Sequence, residues 1–173
     1  MSMSADSQSG TVVSIDSPEF RRMVNCLPTG VVIISTARRD GGAALAMTQA
    51  FAMASVDPPL VLWAIKLWSR NFPDFRDARM FSVNILSDQQ RPIALALRDG
   101  AEGVGPDLPL MAGHSGAPML DGCSATLECV REATNLIGGN VAIVGRIERF
   151  SHFPERPALI SYRGEYVTMG GRS

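Results

Sequence analysis

Two short segments carry groups that could bind a flat, phosphorylated ligand. The first is residues 46–55, where the small and polar letters AMTQAFAMAS interrupt the pattern of a buried strand. A surface of small residues lets a planar ring lie close to the backbone. An edge strand with a bulge has the same signature, and small residues also serve close strand packing. The first segment alone therefore leaves both interpretations open.

The second segment runs from Lys66 to Asn71 and places two cations, a hydroxyl and an amide where a strand is expected to end and a helix to begin. Free N–H groups and a partial positive charge at a helix N-terminus favour phosphate. Alternatively, Ser69 is only the helix N-cap, and Lys66 and Arg70 are only solvated charges. Taken together, the two segments indicate a pocket with a planar wall and a phosphate end.

Other kinds of chemistry find little support in the residue types. The two histidines, His114 and His152, stand far apart without metal-ligand spacing, so a metal site is not indicated. No GxSxG pattern marks a nucleophile, and neither GxGxxG nor a strand–helix alternation predicts a doubly wound nucleotide-binding sheet. A bound nucleotide must therefore lie on another kind of fold.

Composition and charge restrict the class of protein. The 173 residues suffice for one domain, predicted at residues 15–173 after a flexible, serine-rich tail at residues 1–14. A net charge of −1 without a basic block argues against nucleic acid, and no apolar run reaches the roughly 20 residues of a membrane span. Cys26, Cys123 and Cys129 lack CxxC spacing and a secretory signal, so we expect reduced thiols in the core of a cytoplasmic protein.

The elements that must position the two segments are mostly strands. Successive apolar runs predict strands at Val31–Thr36, Ala44–Val56 and Leu60–Ile65, and a loop at Gly100–Pro118 has the length of a lid or a substrate wall. About seven or eight strands with short helical insertions favour a closed antiparallel barrel. The other predicted strands are Phe81–Leu86, Ser124–Thr134, Val141–Phe150, Ala158–Tyr162 and Glu165–Met169, the last two joined by an Arg163-Gly164 turn, and the helices are expected at residues 17–28, 71–80 and 87–98.

Several short motifs, in their order and spacing, resemble the flavin reductase family, the small partner of two-component flavin-dependent monooxygenases. The resemblance spans about Phe20 to Thr168 and implies a mainly β fold, the antiparallel, Greek-key-like FMN-binding split β-barrel. The motifs are Phe20-Arg21, PTGV at residues 28–31, Met47–Ser55, DPPL at residues 57–60, FSVNIL at residues 81–86, VGRI at residues 144–147 and YRGEY at residues 162–166.

The resemblance also implies a reaction and a set of binding residues. NADH or NADPH would donate a hydride to FMN or FAD, and the reduced flavin would leave a homodimer for a separate monooxygenase. On electrostatic grounds, backbone N–H groups near the strand bulge, helped by Lys66, would stabilise negative charge on the reduced ring. The isoalloxazine ring would lie against Met47, Thr48, Gln49, Ala50, Phe51, Met53 and Ala54, and the ribityl phosphate would be held by Trp68, Ser69, Arg70 and Asn71.

Two departures from the family pattern bear on the cofactors. The family often has threonine in place of Met47 and a smaller polar residue in place of Gln49, which leaves the choice between FMN and FAD open. Many members carry a Gly-Asp-His or Gly-Thr-His motif where this chain has Gly138-Gly139-Asn140. Asn140 can orient a nicotinamide amide through hydrogen bonds but cannot carry charge; alternatively, it is only a turn residue.

We predict an enzyme, because hydride transfer needs little acid–base help when the cofactors carry the chemistry. The alternative from another class is a non-enzymatic flavin carrier or redox-sensing module, which the Gly138-Gly139-Asn140 sequence favours. A further alternative keeps the fold but reduces or oxidises a different substrate, in a pocket shaped by the Gly100–Pro118 loop.

Overall fold

Antiparallel strands make up most of the fold. The structure is a computed structural model that describes residues 15–98 and 108–168; the predicted tail at residues 1–14 lies outside this range. The helices are α1 (Pro18–Val24), α2 (Phe72–Asp77) and α3 (Arg91–Arg98), the last preceded by a 3₁₀ turn at Asp88–Gln90. The strands are β1 (Thr29–Gly30), β2 (Val32–Ala37), β3 (Ala43–Thr48), β4 (Phe51–Ser55), β5 (Leu60–Lys66), β6 (Met80–Ile85), β7 (Leu110–Ala112), β8 (Pro118–Leu120), β9 (Ala125–Ile137), β10 (Asn140–His152), β11 (Leu159–Tyr162) and β12 (Glu165–Thr168).

The main sheet has seven strands in the order β3-β2-β6-β9-β10-β5-β4, and every pairing in it is antiparallel. A smaller sheet, β1-β11-β12, and the β7–β8 hairpin lie against it. The β11–β12 connection is the predicted two-residue turn, in which Arg163 and Gly164 both have positive φ. The prediction of a mainly β, antiparallel barrel with short helices is confirmed.

The predicted continuous strand Ala44–Val56 is wrong, because the chain turns a corner after Thr48. The Thr48 hydroxyl accepts a hydrogen bond from Ala50 N (3.1 Å) and donates one to Ala64 O of β5 (3.1 Å). The corner therefore separates β3 from β4, which lie at opposite ends of the sheet order, and ties the end of β3 to β5. This contact closes the barrel. It was not predicted, because a single threonine in the sequence does not indicate a contact with a distant strand.

Two apolar cores lie on the two faces of the main sheet. The barrel interior centres on Trp63, which packs edge-on against Phe75 and Phe81. The second core fills the space between the outer face and α3, β8 and β11. Its buried members are Val31, Ile33, Leu45, Leu86, Ala94, Leu120, Cys123 and Leu159.

The predicted helices form, with shorter bounds. Ser17 Oγ accepts from Phe20 N (3.2 Å) at the start of α1, as predicted, but the expected apolar face of α1 is open: Met23 and Leu27 are 57% and 69% exposed. The helix α2 has only six residues, and its N-cap is Asn71, not Ser69. At the start of the third helix the Gln90 side chain accepts from Ser87 N (3.0 Å), as a capping box predicts.

The described part of the predicted loop Gly100–Pro118 is partly a hairpin. Strands β7 and β8 pair over residues 110–120, and the buried Glu128 anchors the turn between them by accepting from Ser115 N at 2.6 Å. Burial alone would raise the pKa of the Glu128 carboxyl, but hydrogen bonds from Ser115 and from the His114 backbone outweigh it and lower that pKa. The remainder of the predicted loop, residues 100–107, lies outside the described residues.

The cysteines differ from one another in burial. Cys123 and Cys129 are buried, which raises the pKa of their thiols to about 11 and about 12, so both are protonated and unreactive at neutral pH. Cys26 is exposed, so its predicted place in the core is wrong. Among the described residues there is no helix long and apolar enough to cross a membrane and no cluster suited to a metal ion.

Candidate functional site

A cleft of about 640 Å³ opens where the Thr48 corner meets the start of β10 and the β11–β12 hairpin. Its size falls in the range of small-molecule and cofactor sites. One side comes from β3 and β5, and the other comes from the ends of α1 and α3 and from the smaller sheet. The lining residues are Asn25, Gly30, Val31, Leu45, Ala46, Met47, Thr48, Gln49, Ala50, Ala64, Ile65, Lys66, Ser69, Leu97, Arg98, Asn140, Ser161, Gly164 and Tyr166.

One wall of the cleft is built from small side chains. Ala46, Ala50 and Ala64 lie around the Thr48 corner, where the short side chains expose the backbone of β3 and β5 to the cleft. The Thr48 hydroxyl is occupied by its two hydrogen bonds, so Thr48 fixes the shape of this wall. Gln49 crosses the cleft and donates to Ser161 Oγ of β11 (3.2 Å). The wall is suited to contact with a planar ring.

The polar end of the cleft has side chains without protein partners. Lys66 ends β5, and the chain then turns through a hydrogen bond from Ser69 N to Lys66 O (3.1 Å). Neither the Lys66 ammonium nor the Ser69 hydroxyl bonds to any of the described residues, although both line the cleft. An ammonium and a hydroxyl at one end of a cleft are the groups that bind a phosphate.

Asn140 is the first residue of β10, not a turn residue. It pairs with Lys66 of β5 and with Ile137 of β9, and the turn itself is Gly138-Gly139. Its side chain lines the cleft beside Lys66 and has no hydrogen-bond partner among the described residues. The structure thus brings the amide of Asn140 next to the polar end that the sequence predicts.

Six of the predicted site residues lie outside the cleft lining. Phe51 packs against the barrel core, and Met53 and Ala54 are exposed on the edge strand β4, with Ala54 at a break in the β4–β5 register. Trp68 is 71% exposed at the rim. Arg70 lines a shallow concavity with Arg38, Arg39, Asp40 and Asp74.

Asn71 is the last of the six, and it supports the polar end from behind. It is 2% exposed, donates to Leu45 O of β3 (2.7 Å) and accepts from Arg38 Nη2 (2.7 Å). Its side-chain amide is therefore occupied within the protein. These two bonds tie the segment after β5 to the β2–β3 hairpin and so fix the position of Ser69.

The residues of the opposite wall escaped the sequence analysis. They are Asn25, which directly follows α1, Arg98 at the end of α3, and Ser161 and Tyr166 of the two last strands, and no local motif connects them. Arg98 lies over the Tyr166 ring, with 5.5 Å between its guanidinium carbon and the ring centroid. The Tyr166 hydroxyl donates to Ala94 O (3.4 Å) and contacts Met47 Sδ (3.7 Å). Of the motifs that carry the family resemblance, PTGV at residues 28–31 and YRGEY at residues 162–166 reach this wall.

The comparisons with known proteins agree on one family. The family described as flavin reductase like domain matches residues 24–170. The FMN reductase (NADH) SmoA of Agrobacterium fabrum is 32% identical over 147 residues, which cover 84% of this chain and 83% of that protein.

Two further similarities concern components of monooxygenase systems. The reductase component of the flavin-dependent trigonelline monooxygenase of Acinetobacter baylyi is 29% identical over 87% of this chain, which spans only 48% of that longer protein. The crystal structure of nitrilotriacetate monooxygenase component B from Mycobacterium thermoresistibile superposes with a TM-score of 0.81 at 31% identity, covering 90% of this chain and 88% of that one.

Proposed function

This chain belongs to the flavin reductase like domain family, and we infer that it is an NAD(P)H-dependent flavin reductase that supplies reduced flavin to a separate monooxygenase. One observation in the structure carries the assignment. Lys66, Ser69 and Asn140 line a cleft beside a wall of small side chains, and none of the three side chains bonds to the described residues. Polar groups held without protein partners in a cleft are available to a ligand.

We propose that the isoalloxazine ring lies against the wall formed by Met47, Thr48, Gln49 and Ala50. The small side chains of Ala46, Ala50 and Ala64 beside it let backbone groups approach the ring closely, and the Thr48 corner is rigid because both of its hydrogen bonds are internal. The sequence 51–54 continues this wall along β4. Phe51 would support it from the barrel core, and Met53 and Ala54 would extend it at the exposed edge.

The ribityl phosphate, in the same proposal, binds at Lys66 and Ser69. Trp68 and Arg70 are neighbours of these residues in sequence, although Arg70 lines a separate concavity, and Asn71 holds the segment in place through Leu45 and Arg38. The ammonium of Lys66 would also favour negative charge on a reduced ring. FMN and FAD share the phosphate that this end would bind.

Asn140 is the residue we assign to the nicotinamide side. Its amide can both donate to and accept from a carboxamide, and its place at the start of β10 holds it beside Lys66. When bound, the flavin accepts a hydride from the nicotinamide and carries the two electrons away. The protein contributes stacking, orientation and a favourable charge, and no protein side chain needs to exchange a proton for the transfer.

We further propose that the protein acts as a homodimer in the cytoplasm. The edge strand β4 exposes Ala52, Met53 and Ala54 in succession, next to the exposed Leu62 of β5, and a second copy would cover this apolar strip and complete the flavin wall. In sedimentation equilibrium the wild type should be a dimer and Met53→Glu should shift it to monomer. A wild-type monomer with flavin bound would contradict the dimer. The cytoplasm is proposed because it holds the reduced pyridine nucleotides.

The decisive experiment mixes the purified protein anaerobically with excess FMN or FAD and with NADH or NADPH, and follows the visible absorbance of the flavin. Catalytic bleaching of free flavin is expected, with Lys66→Met weakening it. Flavin binding without bleaching by either nucleotide would contradict the reductase and support the carrier or sensor that Asn140 favours. A control without protein measures the uncatalysed reduction.

A further inference from the structure

Trp68 is an exposed aromatic side chain with a fixed support. The side chain is 71% exposed, whereas the chain's other tryptophan, Trp63, is 1% exposed in the barrel core. The benzo ring of Trp68 rests on Gly139: a Cβ added at Gly139 would lie 2.7 Å and 2.9 Å from two of its ring atoms. Only glycine leaves room for the indole in this position.

The backbone beneath Trp68 is also tied down. Leu67 N donates to Gly139 O (3.1 Å), and Ser69 N donates to Lys66 O (3.1 Å). The segment Lys66–Ser69 is thus bonded both to itself and to the turn that precedes Asn140. An aromatic ring with such support loses little conformational entropy when a ligand stacks on it.

The charges around Trp68 favour a phosphorylated ligand. Lys66 and Arg70 flank it in sequence, both are exposed, and neither forms an ion pair within the described residues. Nearby arginines differ in this respect: Arg38 lies 3.4 Å from Asp74, and Arg39 lies 3.0 Å from Asp77. An exposed indole whose neighbours in sequence carry two cations without ion pairs matches the chemistry of an adenine base and its phosphates.

From these contacts we propose that Trp68 is the stacking surface for the adenylate half of FAD and makes FAD the preferred flavin of this protein. The inference rests on the proposed function, which places the flavin phosphate at Lys66 and Ser69. FAD is FMN extended by AMP at that phosphate, so the added group must leave the cleft past the residues that flank its polar end. Trp68 lies between the two residues at that end.

The test is a comparison of flavin affinities by fluorescence titration, without nucleotide. Wild type should bind FAD more tightly than FMN by about tenfold, the effect expected of one base–aromatic stack, and Trp68→Ala should remove most of this ratio. Trp68→Phe should retain part of it. Gly139→Ala should lower the ratio as Trp68→Ala does, because the new Cβ displaces the ring, and it should shift the tryptophan emission. Phe150→Ala removes another exposed aromatic residue, 74% exposed on β10, and should leave the ratio unchanged.

Several outcomes would overturn the assignment. One is an equal loss of FMN and FAD affinity in Trp68→Ala. Another is a change in the oligomeric state of that variant, measured by sedimentation, with the ratio of FAD to FMN affinity unchanged. The last is a raised KM for NADH with that ratio unchanged. The last result would indicate that Trp68 contacts the adenine of the nicotinamide nucleotide and not the adenine of FAD. A wild type that binds neither flavin would overturn the proposed function together with this inference, whereas flavin binding with an unchanged ratio in Trp68→Ala would overturn this inference alone.

Discussion

Two buried polar side chains under the β7–β8 hairpin and three polar side chains at one end of the cleft differ in what they bond to. Under the hairpin, Asn84 donates to Ile33 O (3.0 Å) and Ser35 Oγ (2.9 Å) and accepts from Leu120 N (2.8 Å). Ser35 in turn donates to Pro118 O (2.5 Å). In the cleft, the side chains of Lys66, Ser69 and Asn140 bond to no described residue.

The difference separates structural polarity from functional polarity. A buried polar group costs stability unless it is hydrogen-bonded, so the partners of Asn84 and Ser35 within the fold make them part of the scaffold. Groups that face an open cleft remain hydrated and are free to exchange water for a ligand. Changes to the first set should therefore act on folding, and changes to the second set on binding.

The largest effect is expected for Asn84→Ala. It removes three hydrogen bonds in a fully buried position and leaves donors and acceptors of β2 and β8 unpaired, which should lower the free energy of unfolding by about 3 kcal/mol. Urea denaturation followed by circular dichroism measures the loss. The flavin affinity of the folded fraction should be unchanged, and a parallel loss of affinity would break the comparison.

The second effect is expected for Lys66→Met, which keeps the length of the side chain and removes its charge. FMN affinity should fall about tenfold, because a hydrogen bond to a phosphate is charge-assisted. The unfolding free energy should change by less than about 0.5 kcal/mol, since Lys66 has no ion pair within the described residues. Riboflavin, which lacks the phosphate, serves as the matched ligand. An equal loss of riboflavin and FMN affinity would argue against a phosphate at Lys66.

The pH dependence of the free energy of unfolding tests the role of Glu128 in the scaffold. Its pKa in the folded protein lies below the ordinary 4.5, so its contribution to stability is present above that pH and is lost as the pH falls through the lowered pKa. Glu128→Gln should lower the free energy of unfolding by about 1 kcal/mol at neutral pH. The difference between wild type and variant should shrink as the pH is lowered below 4.5. A difference that does not depend on pH would show that the carboxylate charge is not what anchors the hairpin.

The smallest effect is expected for Asn140→Ala. Loss of one neutral hydrogen bond to the nicotinamide should raise the KM for NADH about threefold while leaving flavin affinity and stability nearly unchanged. Steady-state kinetics at saturating flavin measures it. Unchanged kinetics would show that Asn140 has only a structural role at the start of β10. No residue would then be assigned to the nicotinamide side.

Much of the fold could be predicted from local sequence. Runs of β-branched residues between Pro, Gly and Asp turns marked the strands, and Ser17 and Arg163-Gly164 marked a helix start and a hairpin. The motif FSVNIL at residues 81–86 supported the resemblance to the family, yet its Asn84 belongs to the scaffold. The corner at Thr48 was missed because a hydroxyl that bonds to a strand 16 residues away has no local periodicity.

The candidate site was predicted in part. Two contiguous segments, 46–55 and 66–71, indicated one wall and the polar end, and the structure places seven of the predicted residues in the cleft lining: Met47, Thr48, Gln49, Ala50, Lys66, Ser69 and Asn140. The opposite wall, with Arg98 and Tyr166, could not be predicted, because it combines residues from separate elements. The support of Trp68 by Gly139 likewise joins two turns that are distant in sequence.

The sequence by itself determined the strand content, the turns and the chemical character of the two segments, because these depend on side-chain type and on spacing along the chain. Tertiary structure alone decided which polar groups would be satisfied. Asn71 and Lys66 come from the same short segment, yet Asn71 is buried and bonded to Leu45 and Arg38, whereas Lys66 faces the cleft. Whether a polar side chain of this segment is hydrogen-bonded or faces the cleft depends on which strand lies next to it after the barrel closes. Barrel closure in turn depends on contacts between distant parts of the chain.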